Sequence, residues 1–80
     1  MKDEVLDILE EVAETDEFRD DLDMDLFEES ILDSLSAIAL IVELEDRFKV
    51  SLPPSEMERQ DWNTANKIAE RIQEKVNEKA

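Results

Sequence analysis

The sequence contains no cysteine, no histidine and no glycine. Without cysteine the chain has neither a disulfide framework nor a thiol nucleophile, and without histidine it lacks the commonest acid–base group and zinc ligand. A catalytic site could be assembled only from carboxylates, and carboxylates on amphipathic helices usually face water. These absences argue against an enzyme and against a metal site, and any thiol chemistry must arrive on a cofactor.

Basic residues are also scarce, because 9 Lys and Arg stand against 24 Asp and Glu and leave a formal net charge of −15. The imbalance is uneven: residues 1–34 hold 2 basic and 15 acidic residues, whereas residues 35–80 hold 7 and 9. So negative a chain disfavours nucleic acid and anionic membranes as ligands. We expect partners that present basic surfaces.

Long apolar runs are missing, since the longest covers residues 37–42 and is far too short to cross a bilayer. The amino end has no basic segment followed by an apolar core, as a secretory signal would require. A chain of 80 residues makes one domain, residues 1–80. We therefore expect a monomeric cytoplasmic protein that does not insert into a membrane.

Helical periodicity marks the two ends of the chain. Residues 3–14 and 65–79 each carry an apolar stripe, the second introduced by Asn63 or Thr64 as a cap. Pro53 and Pro54 must interrupt any helix before them, and a short helical turn can follow at residues 55–59. The pattern predicts an all-α protein with three long helices and one short one.

Residues 15–33 lose the helical period and predict a long ordered connection held to the core by scattered apolar side chains. Asp21, Asp23 and Asp25 alternate as in a calcium-binding loop. Leu26 and Leu32, however, stand where that loop needs its glycine and its bidentate glutamate. The aspartates therefore do not predict a calcium site.

The longest and most apolar segment follows Asp33 and runs to residue 48. Asp33 can accept from free backbone N–H groups of the first turn, so the Ser34 hydroxyl need not act as the cap and can point outward. A phosphate on Ser34 would then meet favourable dipoles. We expect one buried face on this helix, leaving Glu43, Asp46 and Arg47 in solvent. The residues of the predicted buried face are Leu35, Ile38, Ile41, Val42, Leu44 and Phe48.

The sequence Ile-Leu-Asp-Ser-Leu at residues 31–35, with the amphipathic helix behind it, resembles the carrier-protein family of acyl, peptidyl and D-alanyl carrier proteins. The resemblance implies an acyl-carrier-like four-helix bundle with a short third helix. It also implies a 4′-phosphopantetheine arm on Ser34, flanked by Asp33 and Leu35. Taken alone, an Asp-Ser pair is more typical of an ordinary helix cap.

Residues 52–68 resemble the D-alanyl branch of that family most, because Trp62 precedes Asn-Thr-x-Asn-Lys-Ile. Met57 stands where the branch usually has phenylalanine, and it is either a partner contact or a core filler. The resemblance implies a carrier that holds activated D-alanine as a thioester for transfer to teichoic acid at the cell envelope. Its partners would be a phosphopantetheinyl transferase, a D-alanine ligase and a membrane acyltransferase.

The sequence departs from the family beside Ser34. Ser36 and Ala37 stand where the D-alanyl branch tends to have Gly-Thr, and Ala39 stands where carriers commonly place glutamate or glutamine. These departures affect partner docking rather than attachment. The candidate docking residues are Glu43, Glu45, Asp46 and Met57.

Two other functions stay open at this point. One is an acyl carrier for fatty acid, polyketide or other acyl-thioester synthesis, which would need an interior that opens. The other is an acidic helical interaction module in which Ser34 is never modified. A large Trp62 near the last helix, with the bulky apolar residues of the central and last helices, favours a closed core that suits a small cargo.

Overall fold

Three α-helices form the protein in a computed structural model that describes residues 2–53 and 58–79. They are α1 (Lys2–Ala13), α2 (Ser34–Phe48) and α3 (Ala65–Lys79), with 3₁₀ turns at Glu17–Asp20 and Arg59–Asp61. Within the described ranges there is no strand, and no helix there has the length and hydrophobicity to span a bilayer. The predicted all-α class with three long helices is confirmed.

The short helix is predicted at residues 55–59, and residues 55–57 of that range lie outside the described residues. Met57 lies outside them as well. The 3₁₀ turn that follows leads directly to Trp62 and α3.

The two outer helices bury the faces that their periodicity predicts. On α1 the buried side chains follow the acidic first turn of Asp3 and Glu4, which suits the positive end of the helix dipole. The Thr64 hydroxyl accepts from the Lys67 N–H at 3.1 Å, so Thr64 is the one of the two predicted residues that caps α3. The buried side chains of these helices are Val5, Leu6, Ile8, Leu9, Ala65, Ile68, Ala69 and Ile72.

The buried face of α2 differs from the predicted one. Ala37, Leu40 and Leu44 are buried, whereas Leu35, Ile38 and Val42 are 80%, 59% and 56% exposed. The prediction that these three residues belong to the core was wrong. They form instead an outer apolar stripe along the solvent side of α2.

The helical spacing of the outer stripe is the same as that of Ala37, Leu40 and Leu44, so periodicity alone does not choose between the two faces. The inner face continues to the partly buried Ile41 and Phe48. Beyond Val42, the outer stripe is followed at helical spacing by the charged residues Glu45, Asp46 and Lys49. The inner face is therefore the longer apolar surface, and it is the one that packs against α1 and α3.

The connection between α1 and α2 is ordered, as predicted, and four of its apolar side chains are buried: Phe18, Leu26, Ile31 and Leu32. Arg19 fixes its first part to α1, with Nη2 2.9 Å from Asp7 Oδ1 and Nε 2.8 Å from Glu10 Oε1. The Leu26 carbonyl accepts from the N–H groups of Ile31 and Leu32. This fold of the backbone brings the chain to Asp33 at the start of α2.

Glycine is absent, so other residues occupy the left-handed backbone region. They are Glu14 (φ 59°), Ser30 (φ 59°) and Lys49 (φ 55°). Lys49 is the C-cap of α2, and its N–H donates to the Glu45 carbonyl. The end of α2 is thus closed by the left-handed geometry that glycine usually provides.

Candidate functional site

Ser34 is the first residue of α2, and its side chain is exposed. The preceding residue, Asp33, is the N-cap: its Oδ1 accepts from the Ser36 N–H at 2.8 Å, and its carbonyl accepts from the Ala37 N–H at 2.8 Å. Among the described residues the Ser34 hydroxyl has no hydrogen-bond partner. The prediction that Asp33 would cap the helix and leave the serine hydroxyl outward is confirmed.

The hydrogen bonds at the start of α2 also lower the pKa of Asp33 below its ordinary value of 3.8. The main cause is the bond from the Ser36 backbone N–H, and the Ser36 hydroxyl and the Leu35 N–H add to it. Because the folded pKa is the lower one, the stabilisation is present above the unfolded pKa and disappears as the pH falls through the folded value. The Asp33 carboxylate is therefore a charged cap at neutral pH.

We expect Asp33→Asn to remove the acid sensitivity of the first turn of α2, because asparagine caps helices well and does not titrate. At pH 7 the variant should protect the Ser36 amide about as well as the unmodified chain does. As the pH falls below about 3.8, protection should decrease in the unmodified chain and not in the variant. Hydrogen exchange followed by NMR measures this difference.

The Lys67 amide is the internal control for that experiment, since the Thr64 hydroxyl that caps it does not titrate in this range. Loss of protection at Ser36 and Lys67 together, in both proteins, would mean global unfolding and would contradict a local effect of Asp33.

The surroundings of Ser34 suit a phosphodiester. The hydroxyl is primary, exposed and free of other bonds, and the backbone N–H groups of the first turn favour an attached phosphate. An open surface groove of ≈ 420 Å³ lies on one side of the serine and is lined by Phe27, Ser30, Leu32, Asp33 and Ser34. Leu35, the next residue in the chain, is 80% exposed.

The structure separates the predicted docking carboxylates. Glu43 and Asp46 are exposed on α2, and Asp46 lies 3.7 Å from the Lys49 ammonium. Glu45 is half-buried, and its Oε2 accepts from the Leu52 N–H at 2.8 Å. Glu45 therefore fastens the segment after α2 in addition to carrying charge.

Sequence reasoning missed the outer stripe of Leu35, Ile38 and Val42, which runs along α2 from a position next to Ser34. The signal was present as apolar spacing, but it was assigned to the core. Exposed apolar side chains grouped along one helix mark a candidate surface for a partner protein.

The Asn-Thr-x-Asn motif also has a physical role that the sequence did not disclose. Asn63 Nδ2 donates to Asp25 Oδ2 at 2.8 Å, and Asn66 Nδ2 donates to Asp23 Oδ1 at 2.7 Å. Two backbone bonds accompany them, from the Leu26 N–H to the Asn63 carbonyl and from the Asn66 N–H to the Leu22 carbonyl. The motif thus binds the connection that precedes Ser34 to the start of α3.

Comparison with known proteins agrees with this site. The family described as "Phosphopantetheine attachment site" matches residues 3–72. The D-alanyl carrier protein of Lactococcus lactis subsp. cremoris (strain MG1363) is 69% identical over 78 residues, covering 98% of this chain and 99% of the relative. The D-alanyl carrier protein of Lactococcus lactis subsp. lactis (strain IL1403) is 70% identical with the same coverage.

A more distant relative, the D-alanyl carrier protein of Streptococcus sanguinis (strain SK36), is 50% identical over 74 residues, which are 92% of each chain. The matches extend over nearly the whole sequence, so they include both the serine motif and the residues around Trp62. The resemblance inferred from those two segments is confirmed. The chain belongs to the phosphopantetheine-attachment family of carrier proteins and, within it, to the D-alanyl carrier proteins.

Proposed function

We propose that this protein carries a 4′-phosphopantetheine arm on Ser34 and, through it, an activated D-alanyl group for transfer to teichoic acid. The observation that carries the proposal is the exposed, unbonded Ser34 hydroxyl at the start of α2, with Asp33 serving as the cap in its place. The names of the relatives support D-alanine as the cargo.

The protein's part in attachment is to present a nucleophile. A phosphopantetheinyl transferase with a divalent metal would bring the Ser34 Oγ to the pyrophosphate of coenzyme A, form the Oγ–P bond, release adenosine 3′,5′-bisphosphate and take up the hydroxyl proton. Asp33 keeps the first turn of α2 intact while this happens. When attached, the arm supplies the thiol that holds the D-alanyl group as a thioester.

The outer stripe of Leu35, Ile38 and Val42 is the surface on which partner enzymes dock in this proposal. Glu43 and Asp46 lie on the same helix and are exposed, so the apolar surface has an acidic border. A complementary partner has an apolar patch bordered by lysine and arginine. Such contacts are small, weak and electrostatically steered, which suits a carrier that several enzymes visit in turn.

The partners in the proposal are the transferase, a D-alanine ligase and a membrane acyltransferase. The ligase uses ATP and the transferase uses coenzyme A, so we place the carrier in the cytoplasm. It acts there as a monomeric single domain, and Met57 remains a predicted contact residue. The chain itself contributes no catalytic group.

Loading with D-alanine tests the proposal. The apo protein is treated with a phosphopantetheinyl transferase and coenzyme A, and then with an ATP-dependent D-alanine ligase, ATP and D-alanine. Intact-mass measurement should show one arm and then one D-alanyl group that hydroxylamine removes. L-Alanine in place of D-alanine should load far less.

The opposite result would be a holo protein that refuses D-alanine and is clearly stabilised against heat when an octanoyl chain is placed on the arm. That outcome would favour a lipid carrier. We expect the octanoyl chain to add little stability, because the groove beside Ser34 is open and the interior is filled by buried side chains.

A further inference from the structure

A second groove lies between α1 and α2, and residues of both helices line it. Its volume is ≈ 430 Å³. Small side chains on α2, those of Ser36 and Ala39, leave room between the two helices. The lining residues are Glu11, Val12, Leu35, Ser36, Ala39 and Glu43.

The charge of the groove comes from both helices. Glu11 belongs to α1 and Glu43 to α2, and both side chains are exposed. Neither carboxylate has a hydrogen-bond or ion-pair partner among the described residues. Val12, Leu35 and Ala39 give the groove apolar walls. An apolar channel with a carboxylate from each wall fits an arginine or lysine side chain, whose stem packs on apolar surface while its charge meets the carboxylates.

The position of the groove indicates which partner reaches it. Leu35 and Ser36 line the groove and are the two residues directly after Ser34. The phosphopantetheinyl transferase has to bring its catalytic centre to bonding distance of the Ser34 Oγ, with no flexible arm between the proteins. The surface next to Ser34 therefore lies within the area that this enzyme covers. Enzymes that act on the thiol at the far end of the arm have no such constraint.

We propose that the α1–α2 groove receives a basic side chain of the phosphopantetheinyl transferase, held between Glu11 and Glu43. This inference rests on the proposed function and adds α1 to the docking surface. Ala39 keeps the groove open, because a glutamate or glutamine at this position would extend into it. Ala39 is thus a specificity-determining residue for the transferase.

Steady-state kinetics of arm attachment test the inference, with the apo protein as the varied substrate, a phosphopantetheinyl transferase as the enzyme and coenzyme A in excess. Glu11→Gln should raise the KM for the carrier about threefold at low salt, which is the scale of an exposed ion pair. Ala39→Gln should raise KM at least about fivefold by filling the groove. The kcat should stay unchanged in both variants, because Ser34 and its cap are untouched.

Glu70→Gln is the matched control. Glu70 is exposed on α3, away from the groove. Its substitution changes the net charge by the same amount as Glu11→Gln, so a long-range effect of charge on KM would appear equally in both variants. Its KM should stay close to that of the unmodified chain. All three substitutions are at exposed positions, and circular dichroism and melting temperature confirm that the variants are folded.

Combining Glu11→Gln with Ala39→Gln separates a shared site from two independent effects. If both substitutions act on one bound side chain, the double variant should have nearly the KM of Ala39→Gln alone. Multiplied effects, or equal KM changes in Glu11→Gln and Glu70→Gln, would overturn the groove while leaving the carrier function standing. A wild-type chain that accepts no arm would overturn both.

Discussion

Replacing Ser34 by alanine should abolish attachment of the arm completely. The substitution removes the nucleophilic oxygen, and no other hydroxyl in residues 2–53 and 58–79 combines exposure with the first position of a helix whose cap is already supplied. Incubation with a phosphopantetheinyl transferase and coenzyme A, followed by intact-mass measurement, should show only the apo mass. D-Alanine loading by the ligase should consequently fall to zero.

Loss of attachment should come without loss of structure. Ser34 is exposed and makes no hydrogen bond with described residues, so the free energy of unfolding should change by less than about 0.5 kcal/mol. Ser36→Ala is the control, because Ser36 lies on the same turn and should leave the arm in place. Addition of one arm to Ser34→Ala would show that the attachment residue is another serine.

Local sequence features predicted the start of α2 and the two outer helices. Asp33 and Thr64 have side chains that satisfy free N–H groups, and the structure has both bonds. The apolar spacing of α1 and α3 occurs on one face only, so periodicity identified most of the buried side chains there. In these regions the capping residue or apolar repeat lies within a few residues of the helix turn that it specifies.

The inner face of α2 could not be predicted in the same way. The helix has apolar residues on two faces with equal spacing, so the choice between Leu35 and Ala37 as a core residue depends on where α1 and α3 lie. That information is not local to α2. The exposure of the outer stripe can therefore be recognised only when the positions of α1 and α3 are known.

The fastening of the connection before Ser34 depends on contacts that are distant in sequence. Asn63 and Asp25 are 38 residues apart, and Asn66 and Asp23 are 43 residues apart. The carboxylate of Glu45, predicted as a docking charge, reaches the Leu52 backbone through the same kind of tertiary contact. Periodicity and motif spacing do not report such pairings, although the asparagine motif did identify the family.

Trp62 packs between the core and the connection between α1 and α2 that precedes Ser34. Its side chain is 5% exposed, and it meets the Phe27 ring edge-on with 6.4 Å between centroids. Its neighbour Asn63 bonds to Asp25 and Leu26. The indole Nε1 is buried, and it has no hydrogen-bond partner in the part of the chain that the structure describes. Trp62 therefore stabilises the fold through the burial of its apolar ring, whereas burial of its N–H group costs desolvation free energy.

Trp62→Ala should destabilise the protein by about 3–5 kcal/mol, the range for removing a large buried aromatic side chain. A domain of this size has a total free energy of unfolding of only about 4–12 kcal/mol. The substitution therefore removes a large part of the stability, and a substantial fraction of the variant should be unfolded near physiological temperature. Trp62→Phe should cost far less, roughly 1 kcal/mol, because the smaller cavity is partly offset by removal of the unpaired N–H. Urea unfolding followed by far-ultraviolet circular dichroism measures both changes.

Leu35→Ala provides the contrast, since it removes a large apolar side chain that is 80% exposed and should change the unfolding free energy by less than about 0.5 kcal/mol. The three variants therefore rank as Trp62→Ala, then Trp62→Phe, then Leu35→Ala. Equal losses for Trp62→Phe and Trp62→Ala would mean that the indole N–H makes a bond essential to the fold. A large loss for Leu35→Ala would place the outer stripe back in the core and remove it as a docking surface.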